Sequence, residues 1–221
     1  MMPCTVLYFD RYLLAINKPP GMASENNKQD MNTAENWAMQ YCLTVFPKNK
    51  RPFCSLVHRL DRPASGVLLF ALKASALKHV NKQFAEHLVQ KKYRAITDKP
   101  LPQNSAELRH WHLKDTLQYK AKLFEQPKYG TLPVALQYQL VCANNGFYQW
   151  DINLLTGKYH QIRAQMAFMG CPLLGDTLYG STTNYLSNAI ALHAYSLTCT
   201  HPFSNEQLQI IAPLPKHEIW A

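Results

Sequence analysis

A chain of 221 residues that is 47% hydrophobic and 17% charged can bury a sizeable core, which excludes a disordered or fibrous protein. The formal net charge of +9 is unusual for an enzyme of small neutral substrates and points to a polyanionic partner, either nucleic acid or an acidic membrane surface. No run of about eighteen apolar residues could span a bilayer, and no stretch sets a basic face against a broad apolar one, so the membrane reading is the weaker. The opening Met1-Met2-Pro3-Cys4-Thr5 lacks the basic-then-apolar order of a secretory signal, and a cytoplasmic protein is expected.

In chain order, Val6 to Ile16 reads as two short strands joined through Asp10-Arg11. They end at Asn17-Lys18-Pro19-Pro20-Gly21, where two prolines and a glycine stiffen the loop that presents Lys18. Residues 23–30 are polar and read as a mobile loop. Asn32 with Glu35 predicts a helix cap, and Ala34, Trp37, Ala38 and Tyr41 recur on one face until Phe46-Pro47 stops the helix. The basic loop Lys48-Asn49-Lys50-Arg51-Pro52 is either solvated or a phosphate contact.

His58-Arg59-Leu60-Asp61-Arg62-Pro63-Ala64-Ser65-Gly66 follows, with an acid between two arginines ahead of the apolar run Val67 to Leu72. Nearby positive charge favours an ionised carboxylate, the form that serves as nucleophile or base. The same residues are also good turn formers, and an exposed turn with solvated ion pairs is the bland alternative. Leu77, Val80, Phe84 and Leu88 mark the buried face of a second helix, leaving Lys78, Lys82, Glu86 and His87 to solvent. In Gln90 to Ile96 an aromatic, Tyr93, sits among Lys91, Lys92 and Arg94, which suits stacking on a base beside phosphates as well as it suits an ordinary strand tyrosine.

The middle of the chain alternates as strands through Tyr119, Ala121 and Leu123, then Val134 to Cys142, then Tyr148 to Leu154, with Asn144-Asn145-Gly146 as a hairpin turn between the last two. An antiparallel meander is expected there. Thr156-Gly157-Lys158-Tyr159-His160-Gln161-Ile162-Arg163 then enters a helix whose buried face carries Ile162, Met166 and Met169 and which Gly170 can end. Arg163 falls at the edge of that face. A turn-rich connection through Gly175-Asp176 and Tyr179-Gly180 leads to strands at Ala191–Leu197 and Gln207–Ala212. The six cysteines form no Cys-x-x-Cys pair, and His110-Trp111-His112 lacks a second ligand pair at suitable spacing, so neither a metal nor a disulfide framework is expected.

Several of these pieces, in this order, resemble the RluA-type RNA pseudouridine synthases: Asn17-Lys18-Pro19-Pro20-Gly21, His58-Arg59-Leu60-Asp61 with Ser65-Gly66, Tyr93 within Lys92 to Ala95, His160-Gln161-Ile162-Arg163, Gly175-Asp176 with Tyr179-Gly180, Leu192-His193-Ala194, and His201-Pro202. The chain departs from that pattern at Lys158-Tyr159 and at Ala64, without losing an acid, tyrosine or arginine of it. The resemblance implies an α+β fold, a single catalytic domain over residues 1–221 with a mixed, largely antiparallel sheet flanked by helices and a central RNA-binding cleft. With the first strand near Val6, it leaves no room for a separate N-terminal RNA-binding module.

It also implies isomerisation of a uridine in RNA, with Asp61 as the catalytic carboxylate, Arg163 as its ion-pair partner, and Tyr93 stacking on uracil and taking part in proton loss from carbon 5. Arg59, Arg62, Lys18, Lys158 and His160 become candidates for RNA contact, Arg59 filling the space of a flipped-out base. The implied partner is a structured tRNA or rRNA stem-loop, bound by a monomer without cofactor, metal or membrane. An RNA-binding paralogue without catalysis is the alternative.

Overall fold

The computed structural model describes residues 4–26 and 30–220. The reading of the extreme amino terminus, and part of the polar loop 23–30, fall on residues 1–3 and 27–29, outside the described ones. In chain order the elements are β1 (Thr5–Phe9), β2 (Leu13–Lys18), α1 (Ala34–Val45), β3 (Ser55–Leu56), β4 (Ser65–Ala71), α2 (Ala74–Ala85), β5 (Gln90–Thr97), β6 (Ser105–Asp115), β7 (Lys120–Phe124), β8 (Leu132–Asn144), β9 (Phe147–Leu154), α3 (Gln161–Phe168), β10 (Leu192–Thr200) and β11 (Gln207–Ile211). The fold is α+β with a mixed open sheet, as expected. The chain divides into two compact units, Met1–Gln90 with Ala194–Leu214, and Lys91–His193 with Pro215–Ala221.

In the first unit the strand order is β1-β2-β4-β10, with β3 on β4 and β11 on β10. Asp10 makes the β1–β2 turn by accepting the backbone N–H groups of Tyr12 and Leu13 at 2.7 Å each. Every residue of β4 is buried, which explains its unbroken apolar run. Leu13, Val67, Leu69 and Val80 join Leu197, Cys199 and Ile210 in one core cluster.

Helix α1 is capped by Thr33, whose Oγ1 accepts from Asn36 N at 3.2 Å, and not by Asn32 as the spacing suggested. Helix α2 buries Ala76, Val80 and Gln83, whereas Leu88 lies beyond its end and is 61% exposed, against expectation. Gln83 reaches the end of β10, donating to Thr200 O at 2.8 Å and accepting from Thr200 N at 2.7 Å. That polar use of a buried position breaks the apolar stripe from which the helix face was read.

The second unit orders its strands β5-β9-β8-β6-β7, with antiparallel registers throughout. Asn145 and Gly146, at φ of 50° and 79°, turn β8 into β9 as their sequence predicts. The expected simple meander is corrected by β6, which pairs with both β7 and β8 and leaves β7 at the edge.

Gly66, at φ of 113°, lies so close to β10 that a Cβ there would stand 2.3 Å from Ala194 O. Gly66→Ala is therefore expected to cost about 3 kcal/mol through overpacking and backbone strain. The thermal midpoint should fall by about 6–12 °C for a chain of this size; a calorimetric midpoint equal to the parent's would show that the strands can move apart freely.

Candidate active site

Asp61 lies in a turn between β3 and β4, closed by the Ala64 N–H donating to Asp61 O at 3.1 Å. The turn is fastened to the chain that follows β2. Gly21 N donates to Arg62 O at 2.8 Å, and Arg62 Nε returns a bond to Gly21 O at 2.9 Å. Ser24 Oγ donates to Leu60 O at 2.8 Å and accepts from Leu60 N at 3.0 Å.

Beneath the turn, Lys18 is 0% exposed and its ammonium donates to the carbonyls of Ala64 (2.6 Å), Pro19 (2.9 Å), Met22 (2.9 Å) and Arg62 (3.3 Å). Burial pulls Lys18 down to about 7, while the Asp61 carboxylate opposes that pull, so the two charges sense each other within this unit. Lys18, expected as a contact for RNA, is thus turned wholly inward. The two arginines beside Asp61 are ion-paired to the segment after Gly21: Arg59 to Glu25 at 3.0 Å and Arg62 to Asp30 at 2.8 Å. Both guanidinium groups remain more than half exposed, as a contact to phosphate requires.

The remaining predicted residues belong to the second unit. Tyr93 is buried on β5, opposite Ile152 of β9, and its neighbour Arg94 pairs with Asp151 at 2.8 Å. Lys158 is exposed and donates its backbone N–H to Gln161 Oε1 at 3.1 Å. His160, at φ of 52°, forms the left-handed entry to α3. Its ring stacks on Tyr159 with centroids 3.8 Å apart, and its Nδ1 lies 3.2 Å from the Tyr179 hydroxyl.

Helix α3 buries Gln161, Ile162, Arg163, Ala164, Gln165 and Met166 in succession, so Arg163 is not at the edge of an apolar face but inside the unit. Asp176 is the reason it can be there. Arg163 Nε and Nη2 donate to the two Asp176 oxygens at 2.7 and 2.8 Å, and Asp176 is 1% exposed. The Tyr179 ring lies 5.1 Å from the guanidinium carbon, and its hydroxyl accepts from Ala121 N at 2.7 Å. Asp176 and Tyr179 thus seat Arg163, a role the sequence did not assign to them, although Gly175-Asp176 and Tyr179-Gly180 stand out in it as a turn pattern.

A buried amide relay fixes the start of α3. Gln161 Oε1 accepts from Thr156 Oγ1 at 2.8 Å, Gln161 Nε2 donates to Gln165 Oε1 at 3.0 Å, and Gln165 Nε2 lies 3.0 Å from His110 Nδ1. Gln161, Gln165 and His110 are buried, and these groups satisfy one another. Chemically, the first unit offers a half-buried carboxylate on a pinned turn, and the second a rigid buried guanidinium and a buried phenol.

Residues 12–168 match the family described as RNA pseudouridylate synthase, and the chain belongs to that family of isomerases acting on RNA. It is 33% identical to a tRNA pseudouridine synthase C of Haemophilus ducreyi over 96% of this chain and 92% of that one. It is also 33% identical to a ribosomal large subunit pseudouridine synthase C of Buchnera aphidicola, over 95% and 67% of the two chains. Among solved structures, Human RNA Pseudouridylate Synthase Domain Containing 4 shares the fold, with a TM-score of 0.78 at 22% identity over 96% of this chain and 89% of that one.

Asp176→Asn should remove the bidentate carboxylate that seats the buried Arg163 and destabilise the protein by about 3–5 kcal/mol; a denaturant midpoint unchanged from the parent would mean that the pair contributes nothing. His110 is held down by burial, with Glu125 acting weakly the other way. The fold therefore favours its neutral ring, and the stability this contributes is present above the unfolded value of about 6.5 and lost as pH falls through the lower folded value. In an NMR titration the His110 ring should show a midpoint below 6.5, whereas a midpoint above it would reverse the sign.

Proposed function

We propose that this protein converts a specific uridine of a tRNA or rRNA stem-loop into pseudouridine, with Asp61 as the nucleophile and the target nucleotide flipped out of its stack. The observation that carries the reading is the family match across residues 12–168, a span that includes Asp61, Tyr93 and Arg163. The reaction breaks the bond from uracil N1 to ribose carbon 1′, turns the base and joins carbon 5 to carbon 1′. Carbon 5 loses a proton and N1 gains one, so no electrons enter or leave. A carboxylate suits the first step because positive charge develops at the anomeric carbon.

The remaining roles follow from chemistry. Arg163 serves as the ion-pair partner that keeps the acid charged when RNA excludes water, and its rigid seat on Asp176 suits that task. Tyr93 stacks on the uracil. Flipping the nucleotide costs a few kcal/mol, and Arg59, exposed and held at a surface ion pair, is the side chain to fill the gap. Arg62, Lys158 and His160 meet the RNA, while Lys18 acts from inside by holding the carbonyls of the Asp61 turn. The net charge of +9 gives binding its salt dependence.

The test is Asp61→Asn. It should lower pseudouridine formation in pooled unmodified tRNA and rRNA by at least about 10³-fold with the unfolding midpoint and RNA affinity near the parent's; substantial conversion by the purified variant would remove Asp61 from the chemistry. Arg163→Ala is a poorer probe, because it strands the Asp176 carboxylate at 1% exposure and so confuses activity with folding.

A further inference from the structure

The Asp61 turn is held from both sides, but by different means. On the Arg62 side the partners are backbone groups of Gly21 and the Lys18 ammonium. On the other side the backbone of Leu60 is held by a side chain: the Ser24 hydroxyl gives its proton to Leu60 O at 2.8 Å and takes the Leu60 N–H at 3.0 Å. A hydroxyl is both donor and acceptor, so a single oxygen does here what the N–H and C=O of a neighbouring strand residue would do. Ser24 and Leu60 are 5% and 7% exposed, so water cannot substitute.

Ser24 is itself well anchored. Its carbonyl accepts from Glu35 N at 3.1 Å, Ala23 O accepts from Ala34 N at 2.9 Å, and Ala23 forms a bridge with Thr33, the cap of α1. A direct path from the first turn of α1 to the residue before Asp61 therefore runs through this hydroxyl. Alanine at position 24 would leave both the N–H and the C=O of Leu60 without it, in a buried place, and the peptide joining Leu60 to Asp61 would be free to rotate.

We propose that Ser24 is a positioning residue for catalysis: by holding both backbone groups of Leu60 it sets the direction of the Asp61 carboxylate. The proposal rests on the reading that Asp61 is the catalytic acid. Because Ser24 acts on orientation and not on the capture of RNA, its loss bears on turnover and leaves KM in place. A displacement of about 1 Å in a reacting group is enough to cost on the order of 10²-fold.

The experiment compares the parent, Ser24→Ala, Ser24→Thr and Asp61→Asn as full-length proteins on the same pooled unmodified tRNA and rRNA, with kcat, KM and the unfolding midpoint measured for each. Ser24→Ala should lower kcat by about 10–100-fold with KM within about threefold of the parent's. Ser24→Thr, which keeps the hydroxyl, should recover most of that loss. Parental kcat in Ser24→Ala would overturn the proposal, as would a loss carried by KM, or a threonine variant as slow as the alanine one at equal stability. Asp61→Asn separates the two levels: if it stays active, the assignment of the acid fails, whereas a dead Asp61→Asn beside a fully active Ser24→Ala defeats only the role given to Ser24.

Discussion

The Lys18 ammonium, wholly buried and shared among four backbone carbonyls, is the constraint on which the geometry around Asp61 depends. A charge taken out of water is costly, and these carbonyls offset the cost only if the chain keeps them pointed inward. Two of them belong to Arg62 and Ala64, one and three residues after the acid, and two belong to the loop after β2. One side chain thus ties together two loops 44–46 residues apart in sequence. The Asp61 turn is held from beneath by this ammonium as well as by the bonds to Gly21 and Ser24.

The second unit solves a similar problem with a matched pair. Arg163 is seated on Asp176 by two parallel bonds, a geometry that a lysine could not reproduce. On the same helix, Gln161 bonds Gln165, and Gln165 in turn reaches His110. The short helix α3 is consequently buried on nearly every side, and its place is specified by polar contacts more than by an apolar stripe.

That distinction explains what could be read from the chain and what could not. Elements whose pattern is set by local chemistry were legible: the Asn145-Gly146 hairpin, the covered strand β4, and the two strands either side of Asp10. Strand β6 escaped notice because its inward positions are Leu108, His110 and His112, and two imidazoles in an inner face hide the alternation. Leu88 misled for the opposite reason, as an apolar side chain left exposed past the end of α2. The motif around Asp61 was legible as a turn, which the Ala64 N–H closes onto Asp61 O. The seating of Arg163 was not legible, since nothing in the spacing links residue 163 to residue 176 until the chain has folded.

The core of the first unit joins Leu13, Ala15, Val67 and Leu69 to Leu197, Cys199, Ile210 and Ala212, and the ties from Asp10 to His201 and from Gln83 to Thr200 bridge 191 and 117 positions. A chain emerging from the ribosome makes the first ninety residues of this unit long before the strands that complete it. During that interval β4, buried along its whole length in the finished protein, has no β10 beside it, and Gly66 no neighbour at Ala194. The intervening second unit, which is continuous in sequence apart from its last residues, can close first. Such long-range closure is slow, so β4, paired early with β2 and β3, waits for β10 until nearly the whole chain has been made.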